Sequence, residues 1–326
     1  MPPRVAVIGC GQWATWMHLP VMRDLAARGA AVYAGVCDRD GTRAREYAAQ
    51  LGGPAVFTDA GAMLDAVRPD AIIILVNPEY TADLVRPAIT RRIPFLVEKP
   101  PAPSAAAHRD LMAAAGTLPH VVAYNRRFAP YIREARAWLA GAVPQMVTGV
   151  FARHRRQEAD FTTTAVHGID TVLFLAGAPL VSAVLEMVPS GCVHNFFLRG
   201  WTAAGTRVAI EVTPDTGSAV EHYAVRGTDR SAQVAFPQPP MIDLPGWVEL
   251  HEGNAVIARK TPADLNLVAD DLPALAGVRG EHEALPALLA GEPSAGTLAT
   301  TLQTQVVREA FGAMVAQGER PREITF

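Results

Sequence analysis

The sequence predicts an α/β protein of two domains. The first, over residues 1–124, is a doubly wound parallel sheet, and the second, over residues 125–326, is an α+β domain with a large open, mostly antiparallel sheet. In the first domain short apolar runs alternate with helical patterns, which implies crossover connections and parallel pairing. In the second, strand-like runs follow one another with only Gly, Pro or Asp between them, as in antiparallel sheets. The length of 326 residues also exceeds one average domain.

In the first domain each apolar run of four to seven residues is separated from the next by a helical pattern. The expected strands are residues 4–8, 31–37, 55–58, 71–76, 95–98 and 121–124. The expected helices are residues 12–28, 42–50, 59–66, 81–91 and 104–115. The run 71–76 is apolar throughout, which is typical of a central parallel strand buried on both faces.

In the second domain the helical and strand patterns no longer alternate regularly. We expect helices at residues 130–139, 164–175, 272–289 and 297–316. Strand candidates include residues 146–153, 181–188, 195–200, 207–212, 220–226 and 248–251. The proline-rich stretch 237–240 predicts a loop or sheet edge, because proline cannot donate a ladder hydrogen bond.

Composition narrows the classes of function. Half of the residues are apolar and the formal net charge is −3, so neither nucleic acid nor an anionic membrane is an expected partner. Three widely spaced cysteines indicate a reducing compartment rather than a disulfide framework. The uncharged run over residues 171–185 is shorter than the about 20 residues of a membrane span. With no signal peptide visible, we expect a cytoplasmic protein.

The first strand ends in a glycine-rich turn, Gly9-x-Gly11-x-x-Ala14, ahead of a long helical pattern. Gly9 permits the sharp turn, and Gly11 lets the backbone approach phosphate oxygens without an intervening Cβ. Ala14 is small enough for the helix to pack closely on the strand. The turn, with its residues Gln12 and Trp13, therefore predicts a dinucleotide-binding site at the helix N-terminus.

Asp38 follows the second apolar run, 27 residues after Gly11. A carboxylate at this strand end accepts hydrogen bonds from a ribose diol and repels a 2′-phosphate, which favours NAD over NADP. Arg39 follows directly and offsets part of that repulsion, so NADP stays open as the alternative. A helix-capping or loop role for Asp38 is the competing structural interpretation.

Glu98-Lys99-Pro100 lies at the end of the fifth predicted strand. The carboxyl end of a parallel strand beside a cofactor is a suitable place for a catalytic group. A partly buried lysine can hydrogen-bond a substrate hydroxyl and carry the proton that accompanies hydride transfer. The alternative is a surface lysine in a turn.

Together with His18-Leu19-Pro20, these motifs resemble the glucose–fructose oxidoreductase, inositol dehydrogenase and rhizopine-catabolism (Gfo/Idh/MocA) family. The resemblance implies an N-terminal Rossmann domain that binds NAD or NADP through the glycine turn, Asp38, Arg39 and Glu98. It implies a sugar, cyclitol or related polyol as substrate. It also implies a homo-oligomer, a dimer or tetramer, assembled through the C-terminal sheet.

The resemblance assigns a second catalytic residue, His167, to work with Lys99 beside the substrate carbon. Asp170 shares a helix face with His167 and would orient the ring or hold the substrate. Inositol-dehydrogenase-like members have an aspartate four residues before this histidine, where this chain has Thr163. Threonine is not a general base at neutral pH. This departure makes an inositol substrate less favoured and leaves a non-catalytic member open.

Further residues are expected along the cleft between the domains. Asn77 and Pro78, after the fourth strand, would lie beside the cofactor as the corresponding family residues do. Asn125 and Arg126 resemble a family segment that borders substrate, with a solvated helix start as the alternative. Arg153 would contact an anionic substrate group, unless it belongs to a solvated strand end.

Two tryptophans near the glycine turn, Trp13 and Trp16, are candidates to wall the cleft. For Trp16 core packing is the preferred interpretation. No His or Cys pairs have the spacing of a metal site, so no metal is expected.

The sequence thus predicts an NAD(P)-dependent oxidoreductase acting on a secondary hydroxyl or ketone of a sugar, cyclitol or related polyol. Two alternatives stay open. One is a nicotinamide-binding sensor that kept the fold without the chemistry, and the other is an NAD-dependent glycosidase.

Overall fold

The computed structural model describes residues 1–158, 160–237, 244–318 and 322–326. The chain forms two compact units. Unit 1 comprises Met1–Asn125 with Gly277–Leu302, and unit 2 comprises Arg126–Ala276 with Gln303–Phe326. The chain first passes from unit 1 to unit 2 between Asn125 and Arg126, next to the predicted boundary at residue 124. The sequence does not indicate that residues 277–302 return to unit 1, because this segment has an ordinary amphipathic helical pattern.

The described part of unit 1 contains a six-stranded parallel sheet of order β3-β2-β1-β4-β5-β6. Its strands are β1 (Arg4–Ile8), β2 (Val32–Cys37), β3 (Ala55–Phe57), β4 (Ala71–Ile74), β5 (Phe95–Glu98) and β6 (His120–Ala123). Its helices are α1 (Leu19–Ala27), α2 (Gly41–Gln50), α3 (Ala60–Val67), α4 (Pro78–Thr90), α5 (Ala105–Ala115) and α9 (Val278–Leu289). This order confirms the predicted doubly wound sheet, whose strand order reverses between β1 and β4.

The central strands carry the core of unit 1. Every residue of β4, β5 and β6 is buried, as the continuous apolar run at 71–76 predicts. Strands buried on both faces leave their carboxyl ends as the accessible edge, and β1, β2, β4 and β5 all end there.

The first helix differs from the single helix expected over residues 12–28. It opens with a π-helical segment, Ala14–His18, in which Leu19 N donates to Ala14 O. It continues as α1, whose second residue, Pro20, has no backbone N–H to donate to the preceding turn. The register of the side chains on this element therefore changes at His18.

The described part of unit 2 contains a nine-stranded sheet of order β14-β13-β12-β11-β7-β10-β9-β8-β15. Its strands are β7 (Met146–Ala152), β8 (Leu180–Ser190), β9 (Val193–Thr202), β10 (Arg207–Thr213), β11 (Val220–Arg226), β12 (Arg230–Ala235), β13 (Trp247–Glu252), β14 (Ala255–Lys260) and β15 (Arg322–Thr325). Within these strands β7 and β10 pair in parallel and the other neighbours are antiparallel. The predicted open, mostly antiparallel sheet is confirmed.

Helices α6 (Pro130–Trp138), α7 (Thr162–Ala176), α8 (Leu272–Leu275) and α10 (Leu298–Gln317) accompany this sheet, and α10 begins in unit 1. Helix α7 packs on β7 and β10 through two glycines. A Cβ at Gly168 would lie 2.8 Å from Phe151 Cδ2, and one at Gly149 would lie 2.7 Å from Val172 Cγ1. The glycines allow this close approach of helix and sheet.

Two details of the predicted second domain, residues 125–326, differ from expectation. The single helix predicted over residues 272–289 is divided into α8 and α9 at Gly277, whose φ of +91° suits glycine. Strands β12, β14 and β15 join the predicted ones. Of the proline-rich stretch 237–240, residues 238–240 lie outside the described residues.

Within the described ranges, the helices are too short or too polar for any of them to cross a lipid bilayer.

Candidate functional site

The glycine turn after β1 has the conformation that the motif predicts. Gly9 has a φ of +96°, and its N–H donates to Cys37 O at 2.9 Å. A Cβ at Gly9 would lie 2.3 Å from Leu75 O, the residue after β4. Glycine is therefore required here both by the backbone angle and by the close approach of the neighbouring strand end.

A cavity of about 540 Å³ extends from this turn along the ends of β1, β2 and β4. A Cβ at Gly11 would meet nothing within 4 Å, so this glycine faces open space. The cavity lies at the reversal of strand order, where doubly wound sheets bind their ligands. Several predicted cofactor residues line it, together with Tyr80: Gly9, Gly11, Asp38, Arg39 and Asn77.

Asp38 connects β2 to the glycine turn. Its Oδ2 accepts from Cys10 N at 2.8 Å and its Oδ1 accepts from Asp40 N at 2.9 Å. The carboxylate is nearly buried yet lines the cavity, and each of its oxygens retains a lone pair for a further donor. Helix α2 is capped by Asp40, whose side chain accepts from Thr42 N and Arg43 N, so Asp38 does not serve as that cap.

Two arginines bring positive charge to the same cavity. Arg43 Nη1 lies 3.9 Å from Asp38 Oδ2, and the Arg39 guanidinium lies 5.1 Å from the centre of the Tyr80 ring. The charge of Asp38 is therefore partly balanced by Arg43.

Glu98, at the end of β5, connects the glycine turn to Lys99. Its Oε1 accepts from Trp13 Nε1 and from His18 Nε2, both at 2.9 Å. Its Oε2 accepts from the backbone N–H of Lys99 at 3.0 Å. This carboxylate thus fixes the strand end from which the Lys99 side chain extends.

The π-helical segment explains why Trp13 and His18 reach one carboxylate. Trp13 is the N-cap of the segment and His18 is its last residue. In a π-helix the backbone hydrogen bond joins residues five apart, so two such residues lie near each other on one side of the helix. At 3.6 residues per turn of a regular α-helix, the same two side chains would point about 140° apart.

His18 connects Glu98 to the segment that returns from the end of the chain. Its Nδ1 lies 2.9 Å from Nε2 of His282 on α9, and both rings are buried. Burial, reinforced by the positive charges of His18 and Arg279, lowers the pKa of His282 well below its usual value. Burial alone would raise the pKa of Glu98, but the hydrogen bond and charge of His18, with help from Lys99 and Trp13, lower it.

One set of potential metal ligands lies here: His18, Glu98 and Glu281 offer ligand atoms within 4.8 Å of one another. Glu98 Oε1, however, already accepts two hydrogen bonds, from Trp13 and His18. This arrangement favours a hydrogen-bonded network over metal coordination.

In unit 2, Arg126 and Arg153 share one buried carboxylate. Arg126 Nε and Nη2 donate to Glu221 at 3.0 and 3.1 Å, and Arg153 Nη2 donates to it at 2.5 Å. Tyr223 OH donates to it at 2.7 Å. Burial would raise the pKa of Glu221, but the two guanidinium charges lower it to about 2. These contacts favour a structural role over the predicted substrate contacts of Arg126 and Arg153.

Asp170 has a similar environment. Arg127 Nε and Nη2 each donate to its carboxylate at 2.7 Å, and Thr304 Oγ1 on α10 donates at 2.9 Å. The carboxylate is fully buried. It therefore ties α7 to α10 and to the segment Asn125–Phe128, and the predicted alternatives of orienting His167 or holding substrate are less favoured.

The other predicted residues lie on the expected elements. His167 is in the middle of α7 and 8% exposed, and its carbonyl accepts from Thr171 Oγ1. Thr163 lies in the first turn of α7, where its Oγ1 donates to Asp160 O. Asn125 is buried at the end of unit 1, and Pro78 begins α4 directly after Asn77.

The prediction for Trp16 is wrong, because its side chain is 52% exposed and contacts Trp13 edge-to-face at 5.8 Å. Sequence reasoning assigned no role to His282 or Glu221. Each is buried through contacts with residues far away in the chain, so no local pattern marks it.

Residues 3–126 match the model of an oxidoreductase family described by its NAD-binding Rossmann fold. The chain is 28% identical over 203 residues to a D-glucoside 3-dehydrogenase of Escherichia coli, a match that covers 56% of each protein. It is 30% identical over 245 residues to inositol 2-dehydrogenase 2 of Saccharopolyspora erythraea, covering 70% of each.

The fold is also similar to that of a crystallised oxidoreductase from Agrobacterium radiobacter in complex with NAD⁺, L-tartaric acid and magnesium. The TM-score is 0.79 at 18% identity, over 100% of this chain and 98% of that one. This likeness concerns the whole two-domain architecture, whereas the sequence matches carry the family relationship. The chain belongs to the Gfo/Idh/MocA family of oxidoreductases.

Proposed function

We propose that this protein transfers a hydride between a nicotinamide coenzyme and a secondary hydroxyl or ketone of a sugar, cyclitol or related polyol. The observation that carries the proposal is the link from Trp13 in the glycine turn through Glu98 to the backbone of Lys99. It joins a dinucleotide-binding turn to a lysine at a strand end, where a proton-transferring group can act beside the coenzyme.

The residues of unit 1 fit a dinucleotide. The open space at Gly11 would take the pyrophosphate, and Asp38 would accept from the ribose hydroxyls. NAD is favoured over NADP because the Asp38 charge would repel a 2′-phosphate, although Arg39 and Arg43 reduce this repulsion. The remaining residues assigned to the coenzyme are Gln12, Trp13, Ala14, Asn77, Pro78, Glu98 and Lys99.

The bound nicotinamide would supply or accept the hydride. Lys99 and His167 would hold the substrate oxygen and move its proton, roles that suit an amine and an imidazole. Thr163 offers no general base, so the proposal assigns proton transfer to these two residues alone. Of the predicted substrate contacts, we assign the first place to Asn125, since Arg126, Arg153 and Asp170 have buried ion-pair partners.

The proposed substrate class is supported by the relatives, which are named for a D-glucoside and for inositol. Both names refer to ring compounds with several secondary hydroxyl groups. A neutral polyol also agrees with a second unit in which the described ion pairs hold Arg126 and Arg153 to Glu221.

The test measures binding of NAD⁺, NADH, NADP⁺ and NADPH, followed by a screen of sugars and cyclitols for change in NADH absorbance. Net oxidation or reduction supports the proposal. Release of a sugar without net change would indicate the glycosidase alternative, and binding without any turnover would indicate a sensor. Lack of affinity for all four coenzyme forms would overturn all three.

We also infer that the protein forms a dimer or tetramer through the nine-stranded sheet. Val184 and Val188 on β8 and Trp201 on β9 expose apolar side chains on one face, between 36% and 46%. Light scattering should give two or four chains per particle, and Trp201→Glu should reduce that number. A monomeric wild-type protein would contradict the inference.

A further inference from the structure

The residues around Glu98 form a continuous hydrogen-bonded chain below the proposed reaction centre. It runs from His282 on α9 to His18, from His18 to Glu98, and from Glu98 to the backbone N–H of Lys99. His18 and His282 are both at least 98% buried, so neither ring is placed to touch substrate. We propose that His18 and His282 are positioning residues that fix Glu98 and thereby set the point from which Lys99 reaches the substrate oxygen.

Which atom donates and which accepts in this hydrogen-bonded network follows from Glu98 at one end and His282 at the other. Glu98 accepts, so His18 Nε2 carries a proton. His282 is neutral because burial and the neighbouring charges of His18 and Arg279 oppose its protonation. The ionisable groups that face Glu98 from the packed elements are His18, Lys99 and the nearby Glu281.

The network depends on two unusual features of the fold. The π-helical segment brings Trp13 and His18 to the same carboxylate. The returning segment 277–302 brings His282 into unit 1. A buried carboxylate that accepts three hydrogen bonds holds its orientation better than a solvated one, because the donors would be left unsatisfied if it moved.

The inference rests on the proposed hydride-transfer function. It is tested with His282→Leu and His282→Gln in the full-length protein. Leucine removes the contact with His18, whereas glutamine can place an amide near the position of Nε2. We expect His282→Leu to lower kcat about tenfold with little change in KM for the coenzyme, and His282→Gln to restore most of the loss.

A matched control is His108→Gln. His108 is equally buried in unit 1, but its hydrogen bond goes to Leu298 O. We expect this control to leave kcat and its pH profile unchanged. His18→Leu should move the acidic limb of the kcat profile to higher pH, because Glu98 stays buried but loses a hydrogen-bond donor.

A second readout does not depend on turnover. The Trp13 indole N–H donates to Glu98, so its NMR resonance, assigned with Trp13→Phe, reports the carboxylate. It should shift in His282→Leu and not in His108→Gln. Suppose that the wild type turns over substrate, and that His282→Leu leaves both kcat and the Trp13 resonance unchanged. That result would overturn this inference but not the proposed function. Absence of coenzyme-linked turnover in the wild type would overturn the proposed function, and this inference with it.

Discussion

At the scale of single residues, Lys99 is distinguished by its side-chain chemistry. The chain has two lysines, Lys99 and Lys260, among 29 lysine and arginine residues. Arginine does not release its proton in proteins, whereas a lysine can have its pKa lowered into a useful range. A position that must move a proton therefore needs lysine, even in a chain that otherwise uses arginine for positive charge.

Lys99→Met should lower kcat by about 10²- to 10⁴-fold, the usual contribution of a positioned acid or base, and leave NADH binding within about twofold. Steady-state kinetics and a fluorescence titration with NADH measure the two effects. Lys260→Met is the matched control, because Lys260 forms an ion pair with Glu134 in unit 2. Equal kcat values in the two variants would remove Lys99 from the reaction.

Asp38 is the residue that should determine coenzyme preference. Asp38→Asn retains an acceptor for Cys10 N but removes the charge that repels a 2′-phosphate. We expect KM for NAD to rise about 10- to 100-fold, because one charged hydrogen bond contributes about 1.5–3 kcal/mol, and KM for NADP to fall. Kinetics with both coenzymes provide the measurement, and an unchanged ratio of kcat/KM values would contradict this assignment.

At the scale of elements, α7, the helix that carries His167, packs closely on β7 and β10. This packing depends on Gly168, where an added Cβ would lie 2.8 Å from Phe151 Cδ2 and 2.9 Å from Ile210 Cδ1. The position of His167 therefore depends on how closely the neighbouring Gly168 lets α7 approach the sheet.

Gly168→Ala should destabilise the protein by about 1–3 kcal/mol, the usual cost of overpacking, and should also lower kcat by displacing α7. Gly312→Ala on α10 is the matched helical control. A Cβ there meets nothing within 4 Å, so we expect a gain of about 0.5–1 kcal/mol from helix propensity. Urea denaturation measures both, and a stabilised Gly168→Ala variant would refute the packing argument.

The π-helical segment is the element that connects coenzyme turn and lysine. Its five residues place two donors on Glu98 that a regular helix would separate. The predicted helix over 12–28 is correct in extent, but hydrophobic periodicity does not resolve one inserted residue. The geometry of the contacts of Trp13 and His18 with Glu98 is therefore visible only in the tertiary structure.

At the scale of the whole molecule, buried neutral histidines make stability depend on pH. Burial lowers the pKa of His108 to about 4, and also lowers the pKa values of His120 and His282. His108 and His120 hold the carbonyl and the N–H of Leu298, where α10 begins. Protonation of His120 would remove the acceptor for Leu298 N, and protonation of His108 would leave its hydrogen bond to Leu298 O but place a charge in the buried interior.

A histidine whose folded pKa is lowered contributes stability that is complete above its unfolded pKa, near 6.5. That stability is lost as pH falls through the interval down to the folded value. For His108 the window is 6.5 to about 4, and the contribution is at most about 3 kcal/mol. We expect the unfolding midpoint in urea to fall steadily between pH 7 and pH 4.5.

His108→Gln keeps a donor for Leu298 O and removes the titrating ring, so it should flatten this dependence. His154→Gln, at an exposed histidine, is the control and should leave the slope as in wild type. A pH dependence unchanged in His108→Gln would show that other groups carry the acid sensitivity.

The sequence determined the parts of this protein that depend on local chemistry. Alternating patterns predicted the doubly wound sheet, and consecutive strands predicted the antiparallel one. The glycine turn, Asp38 and Lys99 are predicted from the sequence because a turn glycine, a strand-end carboxylate and a strand-end amine occur at characteristic positions relative to the strands. Such features are readable because each is determined by neighbouring residues or by the position of a strand end.

Only the tertiary structure decided which side chains meet. Arg126, Arg153 and Asp170 were predicted to contact substrate, and their partners are instead Glu221 and Arg127. His282 reaches His18 across 264 positions of the chain. Buried ion pairs and hydrogen bonds form between whichever elements the fold packs together, so no sequence period records them.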